Sequence, residues 1–281
     1  MRTGVEIKTK KAAGNFVTQA DKKLDVLVGA LLAEKIPDCA DFSGNSALAD
    51  GLISQERVEK LPPATALAIA ARHRVWYLDP IDGIDNYVKQ DGQYVVLLGL
   101  VIDRQPVYGW IYAPARDELY FGGPDSGIAH QFSHAGVWRQ AASTQPELLA
   151  GSRPTDKASP PELLRLIMGS RDRRAYPDLV ACLEPARWVK VGSLGLKVMA
   201  VIQGEADAYI HVSQQLKFWD AAAPVGLVQA AGLTVCNLEG RPLDFTPHAE
   251  AVGEEIFRHR QTVLIGTSQG VAEVRCRLDR G

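Results

Sequence analysis

At 281 residues, 46% of them hydrophobic, the chain is long enough for a large buried core and for two lobes. A formal net charge of −2 gives no electrostatic case for a nucleic-acid polymer or a membrane surface as partner, and no apolar run is long enough to span a bilayer. Met1-Arg2-Thr3-Gly4 lacks a signal-peptide core, and Cys39, Cys182, Cys236 and Cys276 are dispersed, so the expectation is a cytoplasmic protein with reduced thiols and no zinc site.

Val5 to Lys11 is short and basic, and Gly14-Asn15 marks a turn. Thr18 precedes an amphipathic run that places Leu24, Leu27, Val28, Leu31 and Leu32 on one face. A helix capped by Thr18 is therefore predicted, with Asp21 in its first turn. There Asp21 suits the helix dipole, and a role in a site is the second reading. Asp38 to Asp50 is polar and turn-rich, and Gly51 to Glu56 predicts a short strand with Ser54-Gln55-Glu56 at its end. After Pro62-Pro63, Ala64 to Arg72 is predicted helical.

Val75 to Leu78 is an apolar, β-favouring run that ends abruptly in Asp79-Pro80-Ile81-Asp82-Gly83-Ile84-Asp85. The pattern predicts a buried strand that closes at Asp79, which Pro80 biases towards extended backbone, and that delivers carboxylates to a loop. Gly83 allows a backbone conformation closed to other residues, or the close approach of a ligand. Like charges on so short a turn repel unless a cation sits between them, and a hard divalent ion such as Mg²⁺ with oxygen ligands would fill that role. Residue types alone leave this reading and a solvated acidic turn both open.

Tyr94 to Ile102, Val107 to Tyr112 and Glu118 to Phe121 predict an antiparallel meander, with Trp110, Tyr112 and Tyr120 as sheet and core aromatics. Gly122 to Pro160 reads as irregular, with His130 and His134 as loop residues rather than paired ligands. The lobe boundary is predicted near Pro154 to Pro160, giving an α+β lobe over 1–157 and an α/β lobe over 158–281. The second lobe alternates. Leu164 to Ser170, Trp188 to Val191, Ala206 to His211, Leu233 to Cys236 and Val263 to Gly266 are predicted strands, with helices over Tyr176 to Leu183, Lys197 to Gln203 and Phe218 to Ala231. The opening Gly192-Ser193-Leu194-Gly195 either exposes N–H groups to an anion such as phosphate or is a simple serine cap. Asp220 is either a cap or a ligand facing the interlobe cleft.

Four segments, NFVTQAD, WYLDPIDGIDNY, VGSLGLKVMAVIQGEADAYI and FWDAAAPVGLVQAAGLTV, occur in this order between about Lys8 and Asp244. Together they resemble the inositol monophosphatase superfamily of Mg²⁺-dependent, lithium-sensitive phosphatases, most closely its bacterial adenosine 3′,5′-bisphosphate nucleotidase branch. The resemblance implies a layered αβαβα fold, with an α+β N-terminal lobe, an α/β C-terminal lobe and the site between them. It implies that Asp79, Asp82, the Ile81 backbone carbonyl and Asp220 bind two or three Mg²⁺ ions, with Asp21 beside a further metal position. Gly83 and Ile84 would offer N–H groups to the phosphate, with Asp85 next to them, and Gly192, Ser193 and Lys197 would lie towards the rest of the substrate. The implied reaction is metal-assisted attack of water on the phosphomonoester of a small metabolite: a 3′(2′),5′-bisphosphate nucleotide, or an inositol or sugar phosphate. The family contains dimers and monomers, so a homodimer is allowed.

Departures from the family pattern fall on one step. Ser54-Gln55-Glu56 stands where the family has a Glu-Glu pair whose first member binds metal and orients the attacking water. Gln55 can coordinate through oxygen but carries no charge and accepts no proton, unless the register shifts by one and Glu56 takes the place. Ile84 replaces a threonine whose hydroxyl helps to activate that water, with Asp85 as a candidate replacement base. The stretch from Gln55 to Asp79 is a few residues longer than usual, and the first long helix expected before Lys8 is missing. An impaired or repurposed member, binding a phosphorylated ligand without ordinary hydrolysis, is the alternative these changes raise.

Overall fold

The computed structural model describes residues 7–9, 16–35, 50–124, 136–141, 144–151 and 163–280. Gly14-Asn15, His130, His134 and the predicted lobe boundary at Pro154 to Pro160 lie outside the described residues. Ile7–Thr9 (β1) and Phe16–Thr18 (β2) form an antiparallel ribbon that leads directly into Gln19–Lys35 (α1). The buried face of α1 carries Asp21, Asp25, Gly29 and Leu32, whereas Leu27 and Leu31 are exposed. This corrects the predicted leucine face. Arg57 reaches across to donate from Nε to Asp25 Oδ2 at 2.5 Å, and this ion pair turns the acidic side of the helix inwards.

Gly51–Ser54 (β3), Gln55–Val58 (α2), Pro63–Ala70 (α3), Arg74–Asp82 (β4) and Ile84–Lys89 (α4) follow, then Val95–Ile102 (β5), Gln105–Ala113 (β6) and Glu118–Gly123 (β7). Gly136–Ala141 (β8) and Glu147–Gly151 (β9) fall in the stretch expected to be irregular. They are short, six and five residues, and become strands by pairing outwards from β7. The seven strands β3 to β9 lie side by side in sequence order; β3 runs parallel to β4, and the later pairs are antiparallel.

Leu164–Met168 (β10), Ser170–Ala175 (α5), Pro177–Leu183 (α6), Ala186–Trp188 (β11), Leu194–Ile202 (α7), Ala208–His211 (β12), Phe218–Ala230 (α8), Thr234–Cys236 (β13), Val263–Gly266 (β14) and Ser268–Leu278 (α9) complete the chain. The second sheet has the order β11-β10-β12-β14-β13, with β10 parallel to both of its neighbours. Five layers result. Leu32 of α1 packs with Trp76, Leu78, Leu100 and Tyr108 on the outer face of the first sheet. Leu196 and Met199 of α7 and Ala223 and Leu227 of α8 fill the space behind its inner face. Leu183, Val271 and Val274 cover the far side of the second sheet. This is the layered αβαβα arrangement expected from the sequence.

Helix α8 lies unusually close to the first sheet, and this fixes where its N-terminus points. A Cβ on Gly109 would stand 2.2 Å from the Ala223 carbonyl oxygen, and one on Gly99 would stand 2.5 Å from the Ala223 nitrogen. Backbone cannot give way as a flexible side chain can. Gly109→Ala is therefore expected to cost about 1–3 kcal/mol, a fall of about 2–4 °C in Tm per kcal/mol for a chain approaching this size. Thermal unfolding checks this, and an unchanged midpoint would show that α8 is free to shift.

Candidate active site

Strand β4 does not close at Asp79, as predicted, but continues to Asp82. Its pairing with β5 is regular to Asp79 opposite Leu97 and resumes at Asp82 opposite Val95, so β4 carries one extra residue. In a regular strand, residues three apart face opposite sides; the bulge restores Asp79 and Asp82 to one side. Ser54 pairs with Leu78 in the parallel neighbour, so Gln55 leaves the sheet at the same end and next to Asp79. Gln55 opens α2, whose first turn is capped by Ser54 Oγ accepting from the Glu56 N–H at 3.4 Å.

Two helices begin at this end. Asp82 Oδ2 accepts the Gly195 N–H in the first turn of α7 at 2.7 Å. Ser193 Oγ accepts the Leu196 N–H at 3.3 Å, and the Ser193 N–H donates to the Gln93 carbonyl at 3.2 Å. The N–H groups expected to meet an anion at Gly192-Ser193 are thus engaged by Asp82, by the serine side chain and by Gln93. Asp220, in the first turn of α8, accepts the Lys217 N–H at 2.7 Å in a reciprocal cap, while the Lys217 ammonium pairs with Glu255. Asp21, at the start of α1, is buried, and its charge reaches Asp79.

Burial pushes the Asp79 carboxyl well above the ordinary range, and the charges of Asp220, Asp82 and Asp21 push the same way, against the Ile81 N–H that Asp79 Oδ1 accepts at 3.0 Å. Burial also raises Asp220, to about 7, although the Lys217 N–H opposes it, and Asp82 adds to the rise. Asp82 is raised by burial against the Gly195 N–H and the Lys197 ammonium. Lys197, half-buried, is lowered by burial and held up by Asp82 and Asp172.

Four carboxylates gathered in low dielectric form an oxygen donor set with uncompensated negative charge, which suits a hard divalent cation. Asp79, Asp82 and Asp220 each rest one oxygen on a backbone N–H, which fixes the orientation of ligands of this kind. Among the described residues no three His, Cys, Asp or Glu side chains already converge on one point. The fit is therefore one of charge and placement, and gripping an ion requires these side chains to turn towards it.

A pH dependence follows. Folded Asp220 keeps its proton to about 7 against an ordinary 3.8, so between those values the folded state binds more protons than the unfolded one. The stabilisation from this group is present below the lower value and is lost as pH rises to the upper one. A divalent cation relieves the repulsion and releases the proton. Scanning fluorimetry should therefore show a larger Mg²⁺-induced rise in Tm at about pH 8 than at about pH 5; the reverse order would contradict this assignment.

The sequence model of the inositol monophosphatase family matches residues 2–270. The chain belongs to the inositol monophosphatase family. Inositol monophosphatase 1 of Mus musculus is 24% identical over 245 residues, covering 87% of this chain and 79% of its own. The 3′(2′),5′-bisphosphate nucleotidase 1 of Rattus norvegicus is 26% identical over 246 residues, covering 84% and 76%. An IMPase/NADP phosphatase solved with Mg²⁺ and phosphate is 21% identical and superposes with a TM-score of 0.70, covering 99% of this chain and 87% of that one. The likeness to that structure shows the fold. The family and these named relatives are phosphatases, and both branches match at comparable identity.

Within the family frame, the remaining predicted residues divide. Gly83 takes φ +88° at the start of α4, and a Cβ there would meet the Ser193 Cβ at 2.9 Å. A Cβ on Gly192 would meet the Gln93 Cβ at 2.4 Å, and one on Gly83 the Gln93 carbonyl oxygen at 3.0 Å, so both glycines close around Gln93. Ile84 opens α4 with no polar side-chain atom. Asp85 is turned to Arg171 of α5, whose Nη2 donates to its Oδ2 at 3.0 Å. Sequence reasoning missed Gln93, Arg171, Asp172 and Lys217. Of these, only Lys217 carried a local signal, as the residue before the FWD helix start.

Proposed function

We propose that the chain is a Mg²⁺-dependent phosphomonoesterase acting on a small phosphorylated metabolite in the cytoplasm. The observation that carries this is the burial of Asp79 among Asp21, Asp82 and Asp220 where β4 ends and α7 and α8 begin. Asp79, Asp82, Asp220, the Ile81 carbonyl and the Gln55 amide would hold two or three ions. When bound, those ions supply neutralisation of phosphate charge and lower the pKa of water. The protein's own groups do the rest. The backbone N–H groups of Ile81, Gly195 and Lys217 hold the carboxylates in place. The first-turn amides of α4, from Gly83 to Asp85, present N–H groups to the phosphate. Lys197, beside Asp82, sets positive charge on the substrate side. No helix among the described residues is long and apolar enough to cross a membrane.

A phosphate-release screen over bisphosphate nucleotides, inositol phosphates and sugar phosphates, with Mg²⁺ present and lithium as inhibitor, tests this reading. Release that needs Mg²⁺ and falls with lithium is expected; background rates throughout would overturn it.

A second reading has its own support. Gln55 stands beside Asp79 without a charge, Ile84 lacks the hydroxyl, and Asp85 is paired with Arg171. These three facts favour a member that binds a phosphorylated ligand and turns it over slowly or by another route.

A further inference from the structure

We infer that Arg57 is a positioning residue: it holds α1 with its acidic face inwards and so places Asp21 among the carboxylates of the site. This rests on the metal-site reading proposed above and adds what keeps one of its acids in place. Asp21 and Asp25 are four residues apart on one face of α1, and both are buried. Arg57 meets Asp25 twice: Nε donates to Oδ2 at 2.5 Å, and Nη2 donates to the Asp25 backbone carbonyl at 3.0 Å. The second bond grips the helix backbone itself, so the contact fixes how α1 is turned. It lies largely out of water, with the Asp25 side chain 6% exposed and that of Arg57 25%.

Helix α1 needs such a grip, because its apolar residues do not dictate the face it buries. Val26, Leu27 and Leu31 are exposed, and the two leucines lie about a quarter to a third of a turn round the helix from the face of Asp21 and Asp25. A roll of that size would bury the leucines and carry both acids towards water. Hydrophobic burial favours the roll. So does Asp25 Oδ1, which is buried without a hydrogen-bond partner among the described residues. The Arg57 charge opposes both, since a buried carboxylate deprived of its cation is strongly destabilising.

The other end of the contact is anchored. Arg57 belongs to α2, whose four residues are too few for a helix to stand alone. Its neighbour Val58 is fully buried in the same core as Ile53 of β3 and Tyr77 of β4. Arg57 is thus offered from a fixed base that opens with Gln55 beside Asp79. The ion pair ties the helix carrying Asp21 to the helix carrying Gln55. So held, Asp21 adds its charge, after burial and other neighbours, to the environments of Asp79 in β4 and Tyr87 in α4.

The test compares the native protein with Arg57→Met, Arg57→Lys and Arg57→Met combined with Asp25→Leu. Mg²⁺-dependent phosphate release gives kcat and KM, and thiol labelling of Leu27→Cys in each background, followed by mass spectrometry, reports how α1 is turned. Arg57→Met strands the Asp25 charge, so α1 should roll and Leu27→Cys should lose most of its labelling rate. In the same variant kcat should fall about 10–100-fold, the usual cost of losing a group that orients a metal's ligands, with KM little changed. Arg57→Lys keeps the charge without the two-point grip and should recover part of the loss. Asp25→Leu added to Arg57→Met removes the stranded charge and keeps that face buried, so it should restore most of kcat and of the labelling. Should Arg57→Met fail to fold, Arg57→Lys and the double variant carry the same comparison.

A lower Tm with kcat and labelling unchanged would make Arg57 merely structural, and a folded double variant that stays inactive would mean that Arg57 acts on the reaction itself. Either result overturns the inference. Native release that Arg57→Met leaves untouched overturns it and leaves the proposed function standing. Background release from the native protein, with labelling slowed by Arg57→Met and restored by Asp25→Leu, does the reverse.

Discussion

Asp79→Asn should remove Mg²⁺-dependent phosphate release and, at the same time, stabilise the metal-free protein at neutral to alkaline pH. The two effects share one cause. Asp79 is buried beside three other carboxylates, and its own ionised form is disfavoured by burial first and by Asp220, Asp82 and Asp21 after it. Asparagine keeps an oxygen for the Ile81 N–H and drops the charge. Without metal, the repulsion falls and Tm should rise, by about 2–4 °C for each kcal/mol relieved. With Mg²⁺ the loss dominates. Altering groups that merely orient a metal's ligands costs about 10–100-fold in affinity or activity, so removing a charged ligand should cost more than about 100-fold. Thermal unfolding with and without Mg²⁺ gives one half of the signature and phosphate release the other. A variant that is less stable without metal, yet as active with it, would show that Asp79 is a structural acid.

Restoring the family pattern with Gln55→Glu and Ile84→Thr should raise kcat by about 100-fold or more, the size of contribution typical of a positioned general base. Gln55 leaves the sheet beside Asp79, so glutamate there adds a charged oxygen where the carboxylates gather. Ile84 opens α4 immediately after Gly83, so threonine there places a hydroxyl at the same mouth. The two changes act on one step and should be more than additive, which single and double variants measured together would reveal. A double variant no faster than the parent would mean that Gln55 and Ile84 do not limit water activation.

Much of this site is legible in the sequence, because carboxylates at strand and helix ends leave local signals. Asp79 and Asp82 follow an apolar β run, and Asp21 and Asp220 sit in the first turns of helices. What the sequence conceals is long-range. The bulge that brings Asp79 and Asp82 to one side depends on pairing with β5, which no local pattern encodes. The leucines of α1 suggest an apolar face, yet the partner Arg57 lies 32 residues away and turns the Asp25 side inwards. Strands β8 and β9 have no strong periodicity of their own and form by extending an existing edge. The Gly192-Ser193 opening is correctly a helix start, but the group resting on its amides is Asp82, 113 residues away. The same separation hides Asp172 and Arg171, each meaningful only through residues from distant strands and helices.

The central claim is that the carboxylates at the end of β4 bind a divalent cation. Calorimetric titration of Mg²⁺ into the native protein and into Asp79→Asn, at about pH 8 and in the presence of inorganic phosphate, tests it most directly. Saturable binding with proton release is expected in the native protein, and its loss in the variant. Heats no larger than dilution in the native protein, or identical binding in both, would contradict it.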